Sequence, residues 1–292
     1  MIGTMKNRKQ SFLSLFLIAI FSFVLCNVSK GEEKTSGLVA LGATLKIVQS
    51  GFNGTEGPAT DPDGNVYFTS KADQSIQKWS WKDGKVSLYR DKDGEAVGMN
   101  FDPQGRLVIC EMGNGRLTRD DLNGNIEVLV YSYNGNRLRP NDVWIDNKGD
   151  IYFSSGGIYF LSADGKKLMP VTNDIGNANG VVGAPDGKTL YVGDTSVVYS
   201  YRIQSDGSLS DKSPFCNMQF SDGLDVDENG NVYVTGDKIY IYNTKAELLE
   251  EIVTPERPKN INFAGKDRKM LFITCPNNIY TLEMTVKGAQ NY

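Results

Sequence analysis

Asp61-Pro-Asp-Gly-Asn-Val-Tyr-Phe68, Asp146-Asn-Lys-Gly-Asp-Ile-Tyr-Phe153 and Asp227-Glu-Asn-Gly-Asn-Val-Tyr-Val234 are copies of one pattern, a turn closed by glycine and followed by an apolar strand. Asp102-Pro-Gln-Gly-Arg-Leu-Val-Ile109 and Ala184-Pro-Asp-Gly-Lys-Thr-Leu-Tyr-Val192 repeat it, and Gly265-Lys-Asp-Arg-Lys-Met-Leu-Phe-Ile273 is a looser sixth copy. Asp or Pro opens each turn, glycine takes the position that needs positive φ, and β-branched and aromatic residues continue as a strand. The copies start 41, 44, 38, 43 and 38 residues apart. A period near forty holding four short strands is the mark of propeller blades, which bury their faces against the next blade.

The expected fold is therefore all-β, a six-bladed β-propeller with four antiparallel strands per blade. A β-sandwich with hairpins of similar spacing would not repeat one turn signature six times. The stretch Ala43 to Gln49 alternates as a strand should, and it is expected to complete the last blade after Ile279 to Met284, hiding two open edges. Residues 38–292 read as one domain, with no internal linker.

Residues 1–30 read as an export signal: Lys6, Arg8 and Lys9, then an apolar run from Phe12 to Cys26, then a polar stretch. The run is short for a bilayer span, so no span is expected in the mature chain. The chain is expected in the periplasm or outside the cell, with retention through the N-terminus or through a lipidated Cys26 as the other readings. Net charge is −4, and four positive charges lie in the first thirty residues, which contain no acid, so the remainder carries −8. That balance excludes a phosphate-backbone partner, and no nucleic acid is expected. Cys110, Cys216 and Cys275 show no metal-site spacing and read as free, packed thiols. The chain is expected to act as a monomer.

Counting five residues back from each signature gives Glu56, Val97, Asn141, Asn179, Asp222 and Asn260. Each precedes its turn by one innermost strand, so these side chains should ring the axis at one height. Oxygen donors with some charge suit a hard divalent cation, Ca²⁺ first, with Mg²⁺, Mn²⁺ or Zn²⁺ as alternatives. The same residues could instead only satisfy backbone groups at the channel mouth. Asp61, Asp102, Asp146 and Asp227, although acidic and repeated, read as turn residues.

Glu56-Gly57-Pro58, Cys110-Glu-Met-Gly-Asn114, Arg139-Pro-Asn-Asp142, Asn179-Gly180, Asp222-Gly-Leu224 and Pro258-Lys-Asn-Ile-Asn-Phe263 follow in an order and at distances that resemble the senescence-marker-protein, regucalcin and gluconolactonase family, over residues 45–285. The resemblance implies that Glu56, Asn179 and Asp222 hold one divalent cation and that Arg139 and Asn141 bind substrate. It also implies hydrolysis of sugar-derived lactones, a small-molecule substrate. Val97 and Met112 depart from the family's usual Asn and His, and Phe153-Ser-Ser-Gly-Gly157 replaces its usual loop. With no histidine in the chain, a Ser-His-Asp triad is excluded. Metal-assisted ring opening is the expected chemistry, with the cation polarising the carbonyl and either Asp222 or the cation activating water. A non-catalytic propeller that binds metal and ligand is the alternative.

Overall fold

All six signatures fold as hairpins joining the first and second strands of a four-stranded antiparallel sheet. The computed structural model describes residues 37–172 and 174–290. Residues 1–30, expected to be an export signal, and with them Cys26, lie outside the described residues. The turn aspartates do what their spacing predicts. In Asp61, Asp102, Asp146 and Asp227, one carboxylate oxygen accepts the backbone N–H groups two and four residues on, at 2.8 to 3.0 Å. Each side chain is thereby committed to its own turn.

The innermost strands, here strand A of each blade, are Thr55–Thr60, Ala96–Phe101, Val143–Ile145, Val181–Gly183, Leu224–Val226 and Asn260–Ala264. Each touches the strand A before and after it, and the sixth touches the first, so the contacts close a ring. Strands B, C and D follow outward in chain order in blades 1 to 5. In blade 6, strands A to C are Asn260–Ala264, Met270–Thr274 and Asn278–Glu283, and strand D is Lys46–Ser50 from the beginning of the domain. This is the closure expected from the sequence, starting at Lys46 rather than Ala43.

Apolar faces meet between blades. Trp144, Tyr152, Val181, Leu190 and Leu224 pack across blades 3 to 5. Tyr233, Ile261, Phe263 and Leu271 join blades 5 and 6, and Phe68, Trp79 and Phe272 join blades 6 and 1. Cys110, Cys216 and Cys275 are free and buried, and burial raises each thiol's pKa. Among the described residues no helix is long and apolar enough to cross a membrane. The segment after blade 6 turns back along the ring: Ala289 donates its N–H to Val226 O at 3.0 Å, and Gln290 Nε2 reaches Asp225 Oδ2 at 3.4 Å.

The third blade explains its unusual sequence. Ile151–Ser155 and Gly157–Leu161 are joined by Gly156 alone, at φ +78°, so the connection between strands B and C is a single residue. Only a glycine turns so tightly there without strain. Its carbonyl accepts the N–H of Ala178, tying the shortened loop to the residue before Asn179.

Candidate active site

A backbone bond identifies the ring position in blades 3 to 6 independently of any side chain. Asn141, Asn179 and Asp222 each donate N–H to a carbonyl near the end of strand B, Ser154 O at 2.9 Å, Gly193 O at 2.9 Å and Thr235 O at 3.1 Å. In blade 6 the residue making this bond is Lys259, to Thr274 O at 2.8 Å. Asn260 is one residue past it and behaves like Asp142. Its N–H donates to Thr274 Oγ1 and its Oδ1 accepts the next N–H at 2.8 Å, as Asp142 does with Ser154 Oγ and Val143. The sequence expectation of Asn260 on the ring is therefore corrected. Blade 6 has an extra ladder pair, Ala264 with Met270, before its turn. Counting back from Gly265 stops one residue late. The ring is Glu56, Val97, Asn141, Asn179, Asp222 and Lys259.

The glycines that follow several ring residues let neighbouring inner strands meet. Gly98 donates to Asn141 O at 2.7 Å and Gly223 donates to Lys259 O at 3.1 Å. A Cβ on Gly57 would lie 1.8 Å from Val97 O, and one on Gly223 would lie 2.1 Å from Asn260 Oδ1. The ring side chains are held by this close backbone contact rather than by loops.

Of the predicted metal donors, the structure gathers all three. Asn179 Nδ2 donates to Asp222 Oδ1 at 3.0 Å. Lys259 Nζ donates to Asp222 Oδ2 at 2.8 Å and lies 3.6 Å from Glu56 Oε1, so the two carboxylates share one ammonium group. Glu56 is buried, with its side chain 5% exposed, whereas Asp222 is 13% exposed. Burial, reinforced by the Asp222 charge, pushes the Glu56 carboxyl up to about 7, against the opposing pull of Lys71 and Lys259. The Lys259 ammonium is lowered by burial but raised more by its hydrogen bond to Asp222 and by both carboxylates, so its net shift is upward.

The two predicted substrate residues differ in exposure. Asn141 is half-buried on the ring, while Arg139 is exposed two residues earlier, its N–H donating to Ser155 Oγ at 2.8 Å. Val97 is buried and Met112 half-buried. Sequence reasoning missed Arg257 and Lys259. Arg257 Nη2 bonds Phe220 O at 3.2 Å and lies 3.9 Å from Asp222 Oδ2, and its guanidinium covers the exposed Phe220 ring. The signal was present as two cations in Arg257-Pro-Lys259, directly before the residue counted as the ring position.

The SMP-30/gluconolactonase/LRE-like region matches residues 54–277. The chain belongs to that family. Within or near it, the chain is similar to lactonase drp35 of Staphylococcus saprophyticus, at 26% identity over 85% of this chain and 88% of that protein. It is also similar to the structure of a gluconolactonase from Xanthomonas campestris, with TM-score 0.79 and 26% identity over 85% of this chain and 92% of the other. A calcium-binding regucalcin from Agrobacterium tumefaciens shares the fold, with TM-score 0.73 and 17% identity over 84% and 95% of the two chains.

The donors are of a kind that fits a divalent cation. Two carboxylates directed at one cationic centre, with an amide beside them, form a hard oxygen set of the kind Ca²⁺ or Mg²⁺ takes. Among the described residues no group of three His, Cys, Asp or Glu side chains comes together. What stands beside the Glu56 and Asp222 carboxylates is an amide, Asn179, bonded to Asp222. One group already stands at the same point, the Lys259 ammonium.

Proposed function

We propose that this chain hydrolyses lactones, with Glu56, Asn179 and Asp222 holding one divalent cation. The observation that carries this reading is the meeting of Glu56, Asn179 and Asp222 at the axis, within a family whose similar members are named lactonase and gluconolactonase. Ca²⁺ is the preferred ion, and Mg²⁺, Mn²⁺ or Zn²⁺ would suit the same oxygens less closely or need fewer of them. When bound, the cation supplies a Lewis acid that polarises the ester carbonyl.

The remaining work falls to the chain's own side chains. Asp222 takes a proton from the attacking water as the new carbon–oxygen bond forms. It returns that proton to the ring oxygen as the ester bond breaks, leaving a hydroxy acid. A carboxylate that shares its charge with a cation is a weak base, which suits a strained ester better than an amide. Asn141 donates to the carbonyl oxygen, and Arg139 and Arg257 orient hydroxyl groups at the rim. Substrates are sugar-derived lactones, since a mouth lined by guanidinium and amide groups favours polyhydroxylated rings over alkyl chains.

Acid release from a panel of aldonolactones, measured with Ca²⁺, Mg²⁺, Mn²⁺ or Zn²⁺, tests the proposal. Equal rates for wild type and Asp222→Ala, both no faster than buffer, would sink it. The second reading, binding without turnover, is favoured by the 2.8 Å contact of Lys259 with the candidate base. In that case a cation binds and no lactone in the panel is opened. We further propose export, with cleavage between Cys26 and Gly31, and a monomeric mature chain. Mass spectrometry of protein recovered from the host, and its solution mass, test these two points.

A further inference from the structure

We infer that Lys259 is a tethered counter-cation that competes with a divalent ion for Glu56 and Asp222, so that metal enters only as the lysine withdraws. The inference rests on the donor assignment above and concerns how that site is regulated. Lys259 is the sixth ring residue, and its backbone cannot drift. Its N–H is bonded to Thr274 O at 2.8 Å, and its carbonyl accepts from Gly223 N–H at 3.1 Å and Thr235 Oγ1 at 2.9 Å. From that fixed base the side chain spans blades, reaching Asp222 in blade 5 and Glu56 in blade 1. A lysine is a point charge on a flexible stem, well suited to leave and return. Its side chain is 29% exposed, so an outward path exists.

Ammonium and divalent cation exclude one another here for two reasons. Both need the same carboxylate oxygens, and like charges at contact distance repel most strongly where water is scarce. The Lys259 ammonium lies between buried Glu56 and part-buried Asp222, which keeps the two carboxylates from facing each other unpaired. Entry of a cation therefore exchanges one positive group for another instead of filling a void.

Mn²⁺ and Ca²⁺ titrations of the full mature chain by calorimetry, run on wild type, Lys259→Met, Lys259→Gln, Lys259→Arg and Glu56→Gln, test this. Removing the ammonium in Met or Gln should tighten binding about tenfold or more, as expected for deleting a like charge in contact with the ion. Arg should bind as wild type does, and Glu56→Gln more weakly. Without metal, the Met and Gln variants should melt below wild type, and Mn²⁺ should raise their melting temperature more than it raises that of wild type. A purely structural lysine would lower melting equally with and without Mn²⁺. Wild-type binding that neither Met nor Gln tightens overturns the inference and leaves the lactonase proposal standing. Binding by Met and Gln but not by wild type supports it and removes metal dependence from that proposal. Absence of binding in every variant overturns it.

Discussion

Four carboxylates stand on or beside the inner strands, and their partners divide them into two pairs. Glu56 and Asp222 face lysine ammonium groups. Asp142 and Asp225 instead face backbone N–H groups, reaching into the next blade to Val181 N at 3.3 Å and Phe263 N at 3.0 Å. The second pair lines a cavity inside the ring, lined also by Asn260, Asn262 and Gln290, and none of the cation-facing cluster borders it. Burial is the main cause of a raised pKa, to about 7, for Glu56, Asp142 and Asp225 alike. A raised carboxyl is thus no guide to the site in this propeller. What separates a chemical carboxylate from a structural one is whether its partner can be exchanged. A lysine or a metal can leave, whereas the backbone of the adjoining blade cannot.

The sharpest way to break this distinction is to exchange the losses. Asp222→Ala should lower lactone hydrolysis by about 10²–10⁴-fold, the range for losing a general base, with only a small change in melting temperature. Asp225→Ala should retain hydrolysis but destabilise the fold by about 1–3 kcal/mol, because Phe263 N–H and its neighbours are left without a buried acceptor. Chemical denaturation measures the second effect. If Asp225→Ala lost activity and kept its stability, the two pairs would have been assigned the wrong way round.

A smaller effect appears in pH dependence. The folded carboxyls of Asp142 and Asp225 are raised from 3.8 to about 7, so between those values the folded state binds more protons than the unfolded one. Their contribution to stability is complete below about pH 4 and is lost as the pH rises toward 7. Asp225→Asn should therefore show a shallower fall in melting temperature across that window than wild type. An identical slope would show that Asp225 does not titrate there. The smallest effect is expected at the rim, where Lys71 is 47% exposed and lies 3.6 Å from Glu56. Lys71→Ala should change stability by no more than about 0.5 kcal/mol, as for most solvent-screened pairs, and a larger loss on denaturation would place Lys71 among the buried partners.

The hairpins were legible because Asp and Gly act within five residues, and the same carboxylate-to-backbone bonds recur in four turns. The ring position was legible in five blades for the same local reason: a constant spacing along the chain separates it from its turn. It slipped in blade 6, where the turn lacks the leading Asp and an added rung moves the register by one. The pairing of Lys259 with Asp222 and Glu56 was hidden for a different reason. It joins three blades through side chains, and no spacing along the chain encodes the direction in which a long flexible side chain will turn. Arg139 shows the reverse case. Its motif was conspicuous, yet the structure places it exposed, with its backbone rather than its guanidinium held by Ser155.

The closing strand bears on time as well as on shape. Lys46 pairs with Thr281, so the first of the described strands waits for the last of them. Individual blades are built from neighbouring hairpins and can form early, but the loop that joins the two ends is long, and its closure is the slow, entropically demanding event. A chain interrupted before Asn278 would carry blades with no latch and two unpaired strand edges, open to its neighbours in solution.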